Sequence, residues 1–136
     1  MSLFQIRKTN DYDLISQLNS CIFPEDSLEI KKQTHAWIVW VKGDAVGFCT
    51  LDLFGKHYAF HSRAGLMSEA RGFNLQKRML SVRERYAKRA GCKAVITYTL
   101  IDNIYSIANL QNMKYKIYIP EYQYVGGDCL YWIKNL

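Results

Sequence analysis

The segment of residues 58–100 constrains the fold more than any other part of the sequence. Residues 58–67 favour a strand, residues 72–90 predict a basic helix, and residues 94–100 form a short apolar run. Such a run is typical of a strand buried on both faces. Because a strand, a helix and a second strand in this order form a right-handed crossover, the two strands are predicted to be parallel.

The segments on either side predict antiparallel strands. Residues 36–41 and 45–53 are rich in strand-forming residues, and the turn Lys42-Gly43-Asp44 joins them as a hairpin. Residues 3–8 predict a first strand, and residues 115–136 predict two more. The predicted fold class is therefore α/β (α+β mixed), with a mixed, mostly antiparallel sheet of about seven strands and flanking helices.

Three helices are predicted besides the basic one, each from a capping residue, and the first also has apolar residues at helical spacing. The first ends before Pro24 and the last near Met113. Their predicted caps are Asn10 or Asp11, Asp26 or Ser27, and Asp102 or Asn103.

The basic helix is predicted to be amphipathic and to end at Gly91 in the left-handed conformation. Its predicted buried face comprises Leu75, Met79, Val82, Tyr86 and Ala90. Its predicted exposed face carries Lys77, Arg78, Arg83, Arg85, Lys88 and Arg89, with Glu84 paired to Lys88 one turn away.

Composition limits the class of protein. At 136 residues, 49% of them hydrophobic and 22% charged, the chain is predicted to form one globular domain, residues 1–136. It has no apolar run long enough for a membrane span, so a cytoplasmic protein without membrane contact is expected. The four cysteines are expected to be reduced, and the three histidines lack the spacing of a zinc pair, so no metal is expected. The net charge of +6 favours a polyanionic partner.

The junction before the basic helix is a candidate anion site. The first turn of a helix has free backbone N–H groups, and the helix dipole adds positive potential there. Arg71 and Lys77 contribute further positive charge. A pyrophosphate group fits such a site with little help from side chains, but the charge alone does not distinguish a phosphorylated cofactor from nucleic acid or a membrane surface.

This junction resembles the signature R/Q-x-x-G-x-G/A of the GNAT family of N-acetyltransferases. Arg71 occupies its first position, and Asn74 and Gln76 stand where the family has glycines. The family uses small residues there so that the backbone approaches the phosphates.

Residues 103–115 are similar to a later GNAT segment, N-x-x-A/S-x-x-x-Y-x-x-x-G-F. Asn103 and Ser106 match in type and spacing, and Tyr115 matches the closing aromatic residue. Leu110 replaces the tyrosine that protonates the leaving thiolate in many members of the family.

The resemblance implies that acetyl-CoA binds as the acyl donor, with its pantetheine arm between the two parallel strands. Gly65 is suited to a bulge beside this arm, and backbone N–H groups after it are expected to hold the arm. The residues implied in cofactor binding are Leu66, Met67, Ser68, Arg71, Gly72, Phe73, Asn74, Leu75, Gln76, Lys77, Asn103, Ser106 and Asn109.

The implied reaction is direct attack of a primary amine, of a small molecule or a protein, on acetyl-CoA in a ternary complex. His61 is the leading candidate for the base because its ordinary pKa lies near neutrality. The alternative, which the sequence favours, is a strand histidine that is hydrogen-bonded on a sheet face. Tyr105 and Ser106 are the candidate acids. Buried thiols are the expectation for Cys49 and Cys92, rather than acyl-carrying nucleophiles.

Two further interpretations stay open. A catalytically degenerate GNAT-like module would bind nucleic acid or a protein partner through the basic helix. Family members also form dimers, so a homodimer through the aromatic C-terminal strands is an expectation from the resemblance.

Overall fold

The computed structural model describes residues 3–136, which form a seven-stranded mixed sheet and three α-helices. The strands are β1 (Phe4–Thr9), β2 (Thr34–Val41), β3 (Asp44–Phe54), β4 (Tyr58–Leu66), β5 (Ala94–Leu100), β6 (Lys116–Ile117) and β7 (Cys129–Asn135). The helices are α1 (Tyr12–Ile22), α2 (Leu75–Arg89) and α3 (Ile104–Asn112).

The strands lie in the order β1-β2-β3-β4-β5-β7-β6. Among the described strands, β4 and β5 form the parallel pair, and the other neighbours are antiparallel. The predicted fold class, with its parallel crossover through the basic helix, is confirmed. β5 differs from the prediction, because its residues alternate between buried and half-buried and only one of its faces is fully covered.

The sheet is covered by helices on both faces. α1 packs on one face, where Ile15 and Leu18 contact Ile38 and Phe48. α2 packs on the other face, in a larger core that extends to Trp132 of β7. At about 25 cal/mol per Å² of buried apolar surface, these two cores provide the main stabilisation of the domain. No helix of residues 3–136 is long and apolar enough to cross a membrane.

The short helix predicted at Asp26 or Ser27 is wrong. The chain forms no helix between α1 and β2 and is held as a loop against α1. The side-chain amide of buried Asn19 donates to the carbonyl of Asp26 at 2.8 Å, which fixes the backbone in a non-helical path. A local capping signal was therefore overridden by a tertiary hydrogen bond.

The two faces of α2 also differ from the prediction. Arg83 is only 2% exposed, because the buried stripe advances in steps of four from Leu75 through Met79 to Arg83 and Ala87. Glu84 pairs with Lys134 of β7 at 2.8 Å rather than with Lys88. The exposed basic surface of α2 is therefore smaller than the sequence indicated.

Candidate active site

A cleft opens where β4 and β5 separate. Their parallel register covers 58–60 of β4 and 94–96 of β5, and beyond it the described strands continue without pairing to each other. The resulting gap holds a cleft of about 370 Å³. Unpaired strand edges offer backbone N–H and C=O groups, so the gap can take an extended polar chain as an added strand.

A β-bulge in β4 determines which side chains face each side of this cleft. Thr50 of β3 pairs with Arg63 and Leu51 pairs with His61, so Ser62 is the extra residue. Residues two apart on a regular strand share a face, but the bulge shifts the alternation by one. His61 therefore faces α2, while Arg63 faces α1.

The bulge predicted at Gly65 thus lies three residues earlier. Gly65 is required for a different reason, since a Cβ atom there would lie 2.6 Å from the Phe23 ring and 3.0 Å from Ile22. The glycine permits α1 to approach the strand closely.

The cleft has two sides, which we name after the helices that cover them. The α1 side is formed by Phe23, Asp26, Arg63 and Tyr98. The α2 side is formed by Gln76, Leu80, Arg83, Asn103, Ser106, Asn109 and Leu110, and His61 and Thr97 lie at its base.

The start of α2 has the features of an anion site. Asn74 precedes the helix in the left-handed conformation (φ 62°, ψ 22°), and in the described chain its side chain caps no helix N–H group. The first-turn N–H groups of Leu75, Gln76 and Lys77 therefore lack intrahelical partners. Gly72 is also left-handed, at φ 85°. This loop leaves the first-turn donors accessible to phosphate.

Asn74 adopts a backbone conformation that a glycine would also adopt at this position of the signature. Among residues with a side chain, asparagine is one of the few that tolerate the left-handed conformation well. Asn74→Val is therefore expected to destabilise the protein by about 1–2 kcal/mol, whereas Asn74→Gly is expected to change stability by less than about 0.5 kcal/mol. Urea unfolding of both variants measures their stability. An equal loss of stability in both would contradict the explanation that Asn74 is needed for its left-handed backbone.

The loop between β4 and α2 offers fewer donors than predicted. The N–H group of Met67 donates to the carbonyl of Val46 at 2.7 Å and is not available to a ligand. Because successive peptide groups of a strand point to opposite edges, the N–H group of Leu66 points toward the gap. Ser68 and Arg71 are exposed in the following turn.

Three of the predicted residues from the second motif line the cleft. Ser106 and Asn109 lie on one face of α3, and Asn103 caps the helix by accepting from the Ser106 N–H at 3.2 Å. Tyr105 points away and is 88% exposed, so it does not meet the cleft. Phe73 is also outside the cleft lining, with its ring 4.9 Å from that of Phe4.

His61 begins a chain of hydrogen bonds that leads away from the cleft. Its Nε2 lies 2.7 Å from the hydroxyl of Tyr115, and that hydroxyl donates to Glu84 at 2.7 Å. The other carboxylate oxygen of Glu84 accepts from Lys134 at 2.8 Å. His61 is 6% exposed and Tyr115 is 4% exposed, so the hydrogen bond between them is shielded from water.

This chain fixes the tautomer of His61. The Glu84 carboxylate can only accept, so the Tyr115 proton points toward it. The Tyr115 oxygen then accepts from His61 Nε2–H. His61 Nδ1 is left with a free lone pair, and it has no hydrogen-bond partner among residues 3–136.

Burial lowers the pKa of His61 well below its ordinary value, and the charges of Arg83 and Lys134 lower it further. His61 is therefore a neutral imidazole at physiological pH. Burial also raises the pKa of Tyr115, and the neighbouring Glu84 carboxylate adds to this effect, so its hydroxyl keeps the proton that it donates. A buried neutral imidazole thus lies at the base of the cleft, and it is a weaker base than the near-neutral pKa expected from the sequence implies.

The buried cysteines do not have the properties of nucleophiles. Burial raises the pKa of the Cys49 thiol to about 11, and it also raises that of Cys92. Both thiols are therefore protonated at neutral pH, and neither lines the cleft.

Several site residues were missed from the sequence. The sequence places Arg83 on an exposed basic face, and it identifies Tyr115 only as the closing aromatic residue of a motif. Arg63, Glu84 and Lys134 carried no local signal that links them to a site. Their roles depend on the bulge, on the phase of α2 and on pairing with β7.

The sequence comparisons agree with this geometry. Residues 4–115 match the profile of the acetyltransferase (GNAT) family, so the chain belongs to that family. No curated protein matches the sequence significantly.

Solved structures share the fold over nearly the whole chain. A proposed acyl-CoA N-acyltransferase from Klebsiella pneumoniae is 19% identical, with 98% of each chain covered and a TM-score of 0.81. An acetyltransferase from Bacillus subtilis in complex with CoA is 13% identical, with 98% and 99% coverage and a TM-score of 0.78. A GNAT acetyltransferase from Elizabethkingia anophelis with acetyl-CoA bound is 12% identical, with 100% coverage and a TM-score of 0.75.

Proposed function

We propose that the protein is an N-acetyltransferase that transfers the acetyl group of acetyl-CoA to a primary amine by direct attack in a ternary complex. The observation that carries this proposal is the cleft between β4 and β5, which ends at the uncapped N-terminus of α2. Family membership and related structures with CoA or acetyl-CoA support the choice of donor.

The residues present fit the proposed donor. Arg71, Lys77 and the first-turn N–H groups of α2 would hold its phosphates. Ser106 and Asn109 supply polar groups along the α2 side of the cleft, where the arm would lie. When bound, acetyl-CoA supplies an activated acetyl thioester.

His61 is proposed as the general base. Its Nδ1 lone pair is free and the hydrogen bond at Nε2 sets its tautomer, so it can accept the proton that an amine loses on attack. Ser106 keeps its proposed role as an acid because it lines the cleft, whereas the exposure of Tyr105 removes the geometric support for the same role.

Calorimetric titration with acetyl-CoA tests the proposed donor site. Arg71→Ala is expected to raise the dissociation constant about tenfold, because one charge-assisted contact to phosphate is lost. Arg85→Ala is the matched control, since Arg85 is an exposed arginine on the middle of α2 and should leave the constant unchanged. Equal binding by both variants would place the phosphates elsewhere.

The same titration separates the proposal from the nucleic-acid alternative. Exposed Arg85, Lys88 and Arg89 remain on α2 as a small basic surface. Absence of acetyl-CoA binding together with strongly salt-dependent binding of nucleic acid would favour the alternative.

A further inference from the structure

The α1 side of the cleft contains a guanidinium group that has no acidic partner. Arg63 donates from Nη1 to the side-chain oxygen of Asn19 at 2.9 Å and to the carbonyl of Ser27 at 3.3 Å. Its guanidinium lies 5.3 Å from the centre of the Phe23 ring. No carboxylate of residues 3–136 forms an ion pair with it.

These contacts hold Arg63 in one orientation without neutralising it. Asn19 is 3% exposed and is itself fixed by its bond to the Asp26 carbonyl, so it is a rigid acceptor. Arginine presents five N–H donors in a planar fork, and the hydrogen bonds to Asn19 and Ser27 use only Nη1. The group therefore keeps both its positive charge and most of its donors for a ligand in the cleft.

The ligand of Arg63 is not the proposed donor's phosphates. Those phosphates would lie at the start of α2, on the opposite face of the sheet from Arg63. The bulge at Ser62 makes this separation, because it turns Arg63 toward α1 while His61 faces α2. Arg63 thus belongs to the side from which an acceptor would enter.

From this arrangement we infer that the acceptor is an amine that also carries a carboxylate, and that Arg63 binds this carboxylate as a specificity-determining residue. The planar guanidinium fork matches a carboxylate. Asp26 lines the same side of the cleft, and its negative charge would oppose a doubly charged phosphate there more strongly than a singly charged carboxylate. This inference rests on the proposed function, because it names the acceptor class of the same site.

Matched amines test the inference. L-phenylalanine is compared with L-phenylalaninamide, in which a neutral amide replaces the carboxylate, and with phenethylamine, which lacks the group. Glycine and methylamine form a second, smaller set. We expect kcat/KM of the wild-type protein to be about tenfold or more higher for the two amino acids than for the amines without a carboxylate. This ratio corresponds to one charge-assisted interaction.

Arg63→Gln is expected to raise KM for the carboxylates about tenfold and to leave the KM of the other amines and the acetyl-CoA dissociation constant unchanged. Arg63→Lys keeps the charge but loses the fork, so it should restore only part of the preference. Arg85→Gln removes the same charge from an exposed site and should have no effect.

Calorimetric titration of the CoA-saturated protein with L-phenylalanine and with glycine gives a readout that needs no turnover. If L-phenylalanine or glycine binds the wild-type protein but not Arg63→Gln, the inference is supported. If in addition no amine is acetylated, the proposed function is rejected while the inference stands. Equal use of carboxylates and neutral amines by the wild type would overturn the inference. An equal fall in kcat/KM for all amines in Arg63→Gln would also overturn the inference, because Arg63 would then serve only to hold α1 on the sheet.

Discussion

His61→Gln is expected to lower kcat for acetyl transfer by about 100-fold or more, the usual contribution of a positioned general base. Glutamine can keep the hydrogen bond to Tyr115, but it has no lone pair of comparable basicity to offer the cleft. The dissociation constant for acetyl-CoA should not change, because His61 lies at the base of the cleft rather than at the phosphate site. Steady-state kinetics and calorimetric titration of the same preparation measure both effects.

Tyr115→Phe distinguishes a catalytic His61 from a structural one. Loss of the hydroxyl releases His61 Nε2 from its acceptor, so the tautomer with a free Nδ1 is no longer enforced. We expect kcat to fall about tenfold while KM stays unchanged, since Tyr115 acts through His61. Tyr118→Phe is the control, because its hydroxyl bonds to Tyr124 rather than to His61.

Full activity of His61→Gln would remove His61 from the mechanism and leave it as a packed strand residue.

Apart from the helix expected at Asp26 or Ser27, the order of elements was predictable because each element depends on local patterns. The apolar run of β5, the basic helix and the glycine that follows it at φ 91° are properties of short segments. The loop before α2 was also predictable as a candidate anion site, since Arg71 and the helix start lie within a few residues of each other. The left-handed conformation of Asn74 then shows that the backbone expected of a glycine is kept at this position of the signature.

The chemistry at the base of the cleft was not predictable in the same way. On a regular strand His61 and Arg63 would share a face, and only the pairing with Thr50 and Leu51 of β3 reveals the extra residue between them. Arg83 reads as one more exposed cation of a basic helix, yet it is buried and donates to the Thr50 carbonyl at 3.3 Å. Such positions follow from contacts between distant segments, which a linear pattern does not contain.

A second large effect is expected in the pH dependence of stability. The folded state holds the pKa of His61 well below its ordinary value of 6.5, while the unfolded chain has the ordinary value. As pH falls below 6.5, the unfolded state therefore binds a proton that the folded state does not bind. The free energy of unfolding should be insensitive to His61 above about pH 7.5 and should fall with decreasing pH below it, by about 1.4 kcal/mol between pH 7.5 and 5.5.

The direction of this effect follows from every charged group near His61. Burial opposes protonation, and Arg83 from α2 and Lys134 from β7 oppose it further. The Glu84 carboxylate would favour it, but Glu84 is already paired with Lys134 and accepts the Tyr115 proton. His61 is therefore neutral in the folded protein, and its protonation would destabilise the folded state.

His61→Gln isolates this contribution, because it removes the titrating group and keeps a partner for Tyr115. Urea unfolding of both proteins at pH 7.5, 6.5 and 5.5 gives the difference in free energy of unfolding at each pH. His35, whose pKa burial also lowers, is present in both proteins and cancels. The wild type should lose about 1.4 kcal/mol more than the variant between pH 7.5 and 5.5. Parallel losses would mean that His61 takes up a proton as readily in the folded state as in the unfolded one. The buried, neutral base on which the proposed mechanism depends would then not exist.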